Sequence, residues 1–189
     1  MLDRLEGSDP PKLIVVDPRR SDTAKKATVH LAPRIGTNVA LLNGLQHLLF
    51  ANGWINEKWC AKHVIGLDDL RTKVERYTPE LVEEITGVPP EKLKHAAEII
   101  GHTDSLLSTV LQGVYQSNQA TAAACQVNNI NLLRGLIGRP GSGIYQMNGQ
   151  PTAQNNRETG CDGEYRESDR IFRIFMADKG QPDSGTMRI

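Results

Sequence analysis

A short apolar run that ends in charged residues has the chemistry to hold a ligand. Leu13–Val16 predicts a short buried strand, and Asp17, Pro18, Arg19 and Arg20 follow it directly. Because Pro18 stops a central strand, the charged residues are expected at its carboxyl end, where open α/β sheets bind ligands. A carboxylate that accepts from sugar hydroxyls, beside arginines that grip phosphates, fits a nucleotide. The alternative is a solvated charged turn after a core strand.

A second group of this kind precedes a predicted helix. Five leucines at helical spacing between Leu41 and Leu49 predict an amphipathic helix over residues 39–50. Thr37 or Asn38 is a suitable N-cap, and Gly36 frees the backbone ahead of it. A glycine and a hydroxyl at a helix N-terminus form a phosphate site, and ordinary capping is the alternative interpretation.

Two further short strands are predicted, over residues 28–32 and 105–111. Gln112 and Gln116 follow the second of these, and in a parallel sheet they lie at the same ligand-facing edge. His30, within the first, has no histidine or carboxylate at ligand spacing nearby. It is therefore expected to be a satisfied or exposed histidine, not a metal ligand.

Helices are expected to position these segments. Thr78-Pro79-Glu80 has the residue types of a helix start, and Asn56 can cap a short helix. The short helices over residues 56–101 are expected to form a packing unit without a catalytic cluster. A long helix over residues 120–136 carries Cys125, which is expected to be a small core or boundary residue.

Composition excludes several classes of protein. The 189 residues include 22 Lys+Arg and 22 Asp+Glu, so the formal net charge is zero, and neither nucleic acid nor an anionic membrane is an expected partner. Three distant cysteines, with no Cys-x-x-Cys pair, argue against a disulfide framework or a metal centre and favour a reducing cytoplasm. No apolar stretch has the length of a signal region or a membrane span.

Seven short motifs occur together in one order along the chain. They are Val16-Asp-Pro-Arg-Arg, Gly36-Thr-Asn-Val-Ala-Leu-Leu-Asn-Gly44, Tyr77-Thr-Pro-Glu80, Ile85-Thr-Gly-Val-Pro89, Gly113-Val-Tyr-Gln116, Gly138-Arg-Pro-Gly141 and Gly149-Gln-Pro151. In this order, over residues 12–163, the chain resembles the catalytic subunits of the molybdopterin oxidoreductase superfamily, which includes nitrate reductases and formate dehydrogenases.

The resemblance implies an α/β fold with a Rossmann-like, partly parallel sheet flanked by helices, in an incomplete fragment of a larger multidomain enzyme. The implied organisation is a linker or the end of a preceding element at 1–11, part of a Rossmann-like molybdopterin guanine dinucleotide-binding domain at 12–146 with a helical insert at 56–101, an active-site funnel loop at 147–163, and a divergent, poorly ordered tail at 164–189. The isolated fragment is expected to be inactive, because the molybdenum ligand and the segment for a 4Fe-4S cluster are missing.

The resemblance also implies a bis-molybdopterin guanine dinucleotide cofactor with molybdenum. One guanosine end would lie in this domain, the two glutamines would approach the pterin, and an arginine in the funnel would hold an oxyanion. The implied cofactor-binding residues are Asp17, Pro18, Arg19, Arg20, Ser21, Gly36, Thr37, Asn38, Gln112 and Gln116, and the implied funnel residue is Arg157.

The segment from Gly149 to Gly160 bears on the substrate. It resembles nitrate reductases, and the step from Gln150 to Arg157 resembles the assimilatory, cytoplasmic branch. The implied partners are a small oxyanion such as nitrate and an electron-donor protein or flavoprotein subunit. Gln154–Asn156 departs from the assimilatory pattern, so the substrate stays open. A formate dehydrogenase-like fragment and a non-catalytic nucleotide-binding module are the alternatives.

Overall fold

The computed structural model describes residues 2–147 and 187–188, and these residues form a mixed helical and sheet structure. A 3₁₀ helix spans Leu2–Glu6. The α-helices are α1 (Asp22–Lys25), α2 (Asn38–Ala51), α3 (Glu57–His63), α4 (Leu67–Val74), α5 (Pro79–Thr86), α6 (Pro90–His102), α7 (Gln112–Tyr115) and α8 (Ala120–Arg134). The strands are β1 (Ile14–Val16), β2 (Val29–Leu31), β3 (Val64–Ile65), β4 (Leu107–Val110), β5 (Gly143–Gln146) and β6 (Met187–Arg188).

Helix ends follow the signals in the sequence. Thr78 caps α5 by accepting a hydrogen bond from the backbone N–H of Leu81, and Gly87 ends that helix with a φ of +74°. Asn56 caps α3 by accepting from the N–H of Trp59. The two helices begin after Asn56 and Thr78 because these side chains satisfy N–H groups that the first helical turn leaves without partners. The predicted starts of both helices are confirmed.

Helix α2 lies at the centre of the molecule, with α4, α5, α6 and α8 packed around it. The sequence predicted an amphipathic helix with one apolar side, and that prediction is wrong. Polar and small side chains between the leucines are buried as well, because neighbouring helices cover α2 on several sides. The buried residues of α2 are Leu41, Leu42, Asn43, Gly44, Leu45, Gln46, Leu48 and Leu49.

The strands form parallel pairs, as predicted. Ile14 of β1 lies opposite Val29 of β2, and Leu107 of β4 lies opposite Gly143 of β5. β3 pairs with β6 in the same sense. Within the described residues each pair is a separate two-stranded sheet. β1 is less buried than expected, since Val16 at its end is 43% exposed.

The main core joins α2 to the helices around it and to one face of β2. Val29 and Leu31 of β2 are buried in this cluster, and β2 contacts α6. Cys60 is buried, whereas Cys125 is exposed, so the prediction of a core or boundary position for Cys125 is wrong. Ala123 lies on the side of α8 that is buried in the core. Cys125 is two positions further along the helix and therefore lies on the opposite, exposed side.

Candidate functional site

The turn after β1 is built from local hydrogen bonds. Oδ1 of Asp17 accepts from the backbone N–H of Arg19 at 2.8 Å, and the N–H of Ser21 donates to the carbonyl of Arg19 at 2.9 Å. Ser21 also caps α1, because its Oγ accepts from the N–H of Ala24 at 3.3 Å. Aspartate and serine form such turns because their short side chains reach the backbone two or three residues ahead. The charged turn therefore has a fixed shape.

The backbone of Asp17 is also attached to β2. Its N–H donates to the carbonyl of Leu31 at 3.1 Å, and its carbonyl oxygen lies 2.8 Å from Nε2 of His30. His30 is thus a satisfied histidine, as its sequence context predicted. The parallel register places the end of β1 beside the end of β2.

The side chains of the turn carry charge to the surface. The guanidinium of Arg19 is 85% exposed, and its Nε lies 3.7 Å from the partly covered Oδ1 of Asp17. An exposed pair of this kind contributes less than about 1 kcal/mol to stability. Arg20 is exposed and lines a cleft of about 530 Å³ between α1 and α6, together with Lys92 and His95. The groups of the turn are therefore accessible to a ligand.

The segment that follows β2 contains the second predicted group. Gly36 has a φ of +86°, and a Cβ built there meets no heavy atom within 4 Å. Thr37 occupies the N-cap position of α2 without a side-chain cap, because its hydroxyl instead donates to the carbonyl of Arg34 at 2.6 Å. Its ψ of 15° lies outside the extended region in which a side chain caps a helix. The expected side-chain capping by Thr37 is therefore absent, while the open space at Gly36 remains.

Asn38 connects this segment to the third one. Its Nδ2 donates to the carbonyl of Gly113 in α7 at 3.3 Å. Gln112 begins α7, and Gln116 follows its last residue, and both side chains are exposed. The turn at Asp17 and the segment 32–38 share one sheet edge, and Asn38 contacts α7. The structure therefore joins the segment 32–38 to α7, while the turn at Asp17 follows β1 at the end of the β1–β2 pair from which this segment starts.

Two residues that support these segments were not predicted from the sequence. The guanidinium of Arg34 donates to the carbonyls of Glu84 and Ile85 at 2.7 and 3.3 Å, which ties the segment 32–38 to the end of α5. Tyr115 of α7 donates its hydroxyl to Oε1 of Gln146 in β5 at 3.3 Å. Desolvation raises the pKa of the Tyr115 phenol above its ordinary value. Partners that lie 31 to 51 residues away give no signal in sequence spacing.

Several expectations lie outside the described residues. Arg157 and nearly all of the funnel loop at 147–163 belong to this part of the chain, as does most of the tail at 164–189. In residues 2–147 and 187–188, no group of three or more His, Cys, Asp or Glu side chains could hold a metal ion. Over the same residues, no helix combines the length and the apolar character needed to cross a bilayer.

The groups present fit one end of a nucleotide cofactor. Exposed guanidinium groups can bind phosphate oxygens, and the carboxylate of Asp17 can accept from N–H or hydroxyl groups. The open surface at Gly36 allows a ligand to approach the backbone closely. Groups that can bind a ligand therefore lie on three segments, of which the second and third are joined by the bond from Asn38 to Gly113.

Comparisons with known proteins agree with this interpretation. A sequence profile described as molybdopterin oxidoreductase matches residues 3–182. The chain is 40% identical over 149 residues to a nitrate reductase of Synechocystis sp., covering 79% of this chain and 21% of the relative. It is 34% identical over 151 residues to formate dehydrogenase H of Escherichia coli, covering 80% of this chain and 21% of the relative. The chain thus spans about a fifth of the length of these relatives.

A solved structure is also similar. Acetylene hydratase from Pelobacter acetylenicus superposes with a TM-score of 0.62 at 26% sequence identity, covering 69% of this chain and 18% of the hydratase chain. The family profile spans most of the sequence, and the nitrate reductase and formate dehydrogenase relatives both exceed 30% identity. The chain therefore belongs to the molybdopterin oxidoreductase family.

Proposed function

We propose that this chain forms part of the cofactor-binding domain of a molybdenum oxidoreductase and binds one guanosine end of bis-molybdopterin guanine dinucleotide. The observation that supports the proposal is the placement of two of the segments directly after paired parallel strands, with a hydrogen bond from the second segment to α7. The turn at Asp17 follows β1, the segment that contains Gly36 follows β2, and Asn38 of this segment bonds to Gly113. In sheets with parallel strands, the carboxyl end of the strands is where nucleotides bind.

Each segment has its own role in binding the cofactor. Asp17 accepts hydrogen bonds from the guanosine, while Arg19 and Arg20 bind phosphate oxygens. Pro18 and Ser21 shape the turn, and the segment Gly36–Asn38 forms a second wall. Gln112 and Gln116 extend the site towards the pterin. When bound, the cofactor supplies two-electron oxo-transfer chemistry at molybdenum, and this chain supplies the binding surface for one of its ends.

Nitrate is the proposed substrate class of the whole enzyme. Two observations support it: the 40% identity to a nitrate reductase, against 34% to a formate dehydrogenase, and the Gly149-Gln-Pro segment with Arg157. A guanidinium there can hold an oxyanion by paired hydrogen bonds. An electron-donor protein or flavoprotein subunit, a 4Fe-4S cluster on another part of the polypeptide and a cytoplasmic location complete the proposal. A formate dehydrogenase-like enzyme is the second candidate, because several formate dehydrogenases match about the same length of the chain at 30–34% identity.

Calorimetric titration of the chain with GDP tests the cofactor site. We expect saturable binding by the wild-type chain and loss of at least about tenfold in affinity in Asp17→Ala, because a charge-assisted hydrogen bond is removed. Asp22→Ala is the matched control, since Asp22 lies five residues away and pairs only with the exposed Lys25 in the described structure. Equal affinity in the wild type and Asp17→Ala, with circular dichroism showing both folded, contradicts the assignment of Asp17.

An assay of nitrate reduction with a reduced viologen dye tests the role of the isolated chain. The chain alone is expected to show no turnover. Sustained turnover would contradict the proposal that it is only a part of the catalytic machinery. GDP binding by a chain that has no role in a molybdenum enzyme would support the alternative of a non-catalytic nucleotide-binding module.

A further inference from the structure

We propose that His30 is a positioning residue for the charged turn at Asp17, an inference that rests on the proposed function of that turn. His30 is the central residue of β2, and its Nε2 lies 2.8 Å from the carbonyl oxygen of Asp17. A carbonyl oxygen only accepts hydrogen bonds, so Nε2 carries the proton in this contact. A neutral His30 is therefore the Nε2–H tautomer.

With this contact, the backbone of Asp17 is attached to β2 at two points. The N–H of Asp17 donates to the carbonyl of Leu31, and the carbonyl of Asp17 accepts from His30. The first bond joins two main chains, so any residue at position 31 can supply it. The second bond needs a side-chain donor at position 30, which valine, leucine or isoleucine, the usual residues of a parallel strand, does not have.

The carbonyl that His30 holds belongs to the peptide bond that leads into Pro18. Proline has no N–H group with which to attach that peptide to the sheet. Rotation of this peptide changes the backbone of the turn, and with it the direction of the Asp17 carboxylate, whose Oδ1 is bonded to the N–H of Arg19. By holding the carbonyl, His30 fixes the direction in which the carboxylate meets a guanosine.

His30 itself is expected to bind no nucleotide. Its Nε2 is used by Asp17, and its ring lines the cleft between α1 and α6 beside Arg20, Thr28 and His95. Its effect on binding is therefore indirect, and it passes through the turn. This distinguishes His30 from the residues that are proposed to contact the cofactor.

Three variants of the full 189-residue chain separate these roles. His30→Phe keeps a ring of similar size and removes the donor, whereas His30→Gln keeps an N–H donor at similar reach. His95→Phe is the matched control, because it makes the same change in the same cleft to a histidine that makes no hydrogen bond within residues 2–147 and 187–188. Calorimetric titration with GDP is expected to show affinity about five- to tenfold weaker in His30→Phe, near wild type in His30→Gln, and unchanged in His95→Phe.

Hydrogen exchange gives a second measurement that needs no ligand. Exchange of the Arg19 amide, which bonds to Oδ1 of Asp17, is expected to be at least about fivefold faster in His30→Phe and restored in His30→Gln. In the wild type, ¹⁵N spectra of the His30 ring are expected to show a protonated Nε2. Unchanged exchange at Arg19 in His30→Phe, or a ring protonated only at Nδ1, overturns the inference whether or not GDP binds.

The outcomes separate this inference from the proposed function. If the wild-type chain does not bind GDP but Arg19 exchange responds to the variants, the guanosine assignment fails and the positioning of the turn by His30 stands. If GDP binds equally to the wild type and His30→Phe, the guanosine assignment stands and the positioning role is overturned.

Discussion

Asn131 bonds to three separate segments of the chain through one buried side chain. Its Nδ2 lies 3.2 to 3.4 Å from the carbonyl oxygens of Leu106, Leu136 and Gly143, and its Oδ1 accepts from the hydroxyl of Ser108 at 2.7 Å. The side chain is fully buried. Because buried carbonyl groups lose water, they need such partners, and Asn131 supplies them where α8 meets β4 and β5.

Replacing Asn131 by leucine tests this role at similar volume. The change removes the amide partner of the Leu136 and Gly143 carbonyls and of the Ser108 hydroxyl, while the Leu106 carbonyl still accepts from the N–H of Gly143. The free energy of unfolding is therefore expected to fall by about 2–4 kcal/mol. Urea denaturation followed by circular dichroism measures it. Asn128→Leu is the control on the same helix, since Asn128 bonds only to the exposed Gln146 in the described structure. A loss no larger than that of Asn128→Leu would show that the bonds of Asn131 contribute little.

Two cysteines of the described chain differ in environment. Sγ of Cys60 is buried, 3.6 Å from the carbonyls of Leu132 and Leu133, and desolvation raises the pKa of the thiol above its ordinary value. Cys125 is exposed. Because the thiolate is the reactive form, burial and a raised pKa both protect Cys60. The folded state also holds the thiol proton more tightly, so this contribution to stability is present below the thiol's unfolded pKa and is lost as pH rises through the folded pKa.

Labelling with a disulfide reagent measures this difference. In a Cys161→Ser chain, which leaves two thiols, Cys125 is expected to react at least about tenfold faster than Cys60 under native conditions. The two rates are expected to converge in concentrated guanidinium chloride. Equal rates in the native chain would mean that the region around α3 opens readily.

At the scale of elements, the packing of α2 against α5 depends on one glycine. A Cβ built on Gly44 would lie 2.5 Å from Cγ2 of Val82 and 3.2 Å from Cδ2 of Leu93. Both of these side chains are fully buried, so neither has free space into which to move. Gly44 therefore sets how closely α2 approaches α5 and α6, the arrangement that supports the segment leading to Gly36.

Gly44→Ala is expected to destabilise the chain by about 1–3 kcal/mol, even though alanine favours a helix more than glycine does. Adding Val82→Ala removes the nearest clash, so the effect of Gly44→Ala should be smaller in that background. Chemical denaturation of the wild type, the two single variants and the double variant gives the free energies of unfolding for this double-mutant cycle. Gly113→Ala, where a Cβ meets nothing within 4 Å, is the control and should not lose stability. A gain of stability in Gly44→Ala would contradict the close packing.

Local signals in the sequence predicted the elements that depend on local physics. The starts of α3 and α5 were predicted because Asn56 and Thr78 bond to N–H groups only three residues ahead. The burial of α2 on several sides was not predicted, because it is decided by helices that lie up to 80 residues away. β5 was missed for a similar reason. Gly143–Gln146 is short and half-exposed, and it is a strand because it pairs with β4 and bonds to Asn131.

The candidate site shows the same difference between local signals, which the sequence reveals, and long-range contacts, which it does not. The charged turn could be predicted because a strand, a proline and two arginines follow one another directly. The contacts of His30 with Asp17, of Asn38 with Gly113 and of Arg34 with α5 span 13 to 75 residues, and no spacing rule connects them. Residue types therefore indicated which segments are candidates for binding, while the contacts that orient them required the three-dimensional structure.

At the scale of the whole molecule, one face of the β4–β5 sheet has no covering layer among the described residues. Alternation along the strands turns Ser108 and Val110 towards α8 and leaves Leu107 and Leu111 on the other face. Tyr145 and Met147 of the β5 side are exposed on the same face. Parallel sheets in stable domains are covered on both faces, so this apolar face favours association.

We expect the purified chain to self-associate through this face, with a mass that rises with concentration in light scattering after size exclusion. The double change Leu111→Lys with Tyr145→Lys should shift the chain towards monomer, because lysines on a sheet face oppose its pairing with another apolar surface. Both side chains are exposed, so the free energy of unfolding should change by less than about 1 kcal/mol.

A control variant must separate the loss of the apolar surface from the effect of two added positive charges. Thr121→Lys with Ala122→Lys adds the same two charges at exposed positions of α8, away from the face. If association is driven by the uncovered sheet, this control keeps it, because the apolar side chains are untouched and only net repulsion has increased. Equal loss of association in both double variants would point to general charge repulsion, and a wild-type chain that is monomeric at every concentration would show that the sheet face needs no cover.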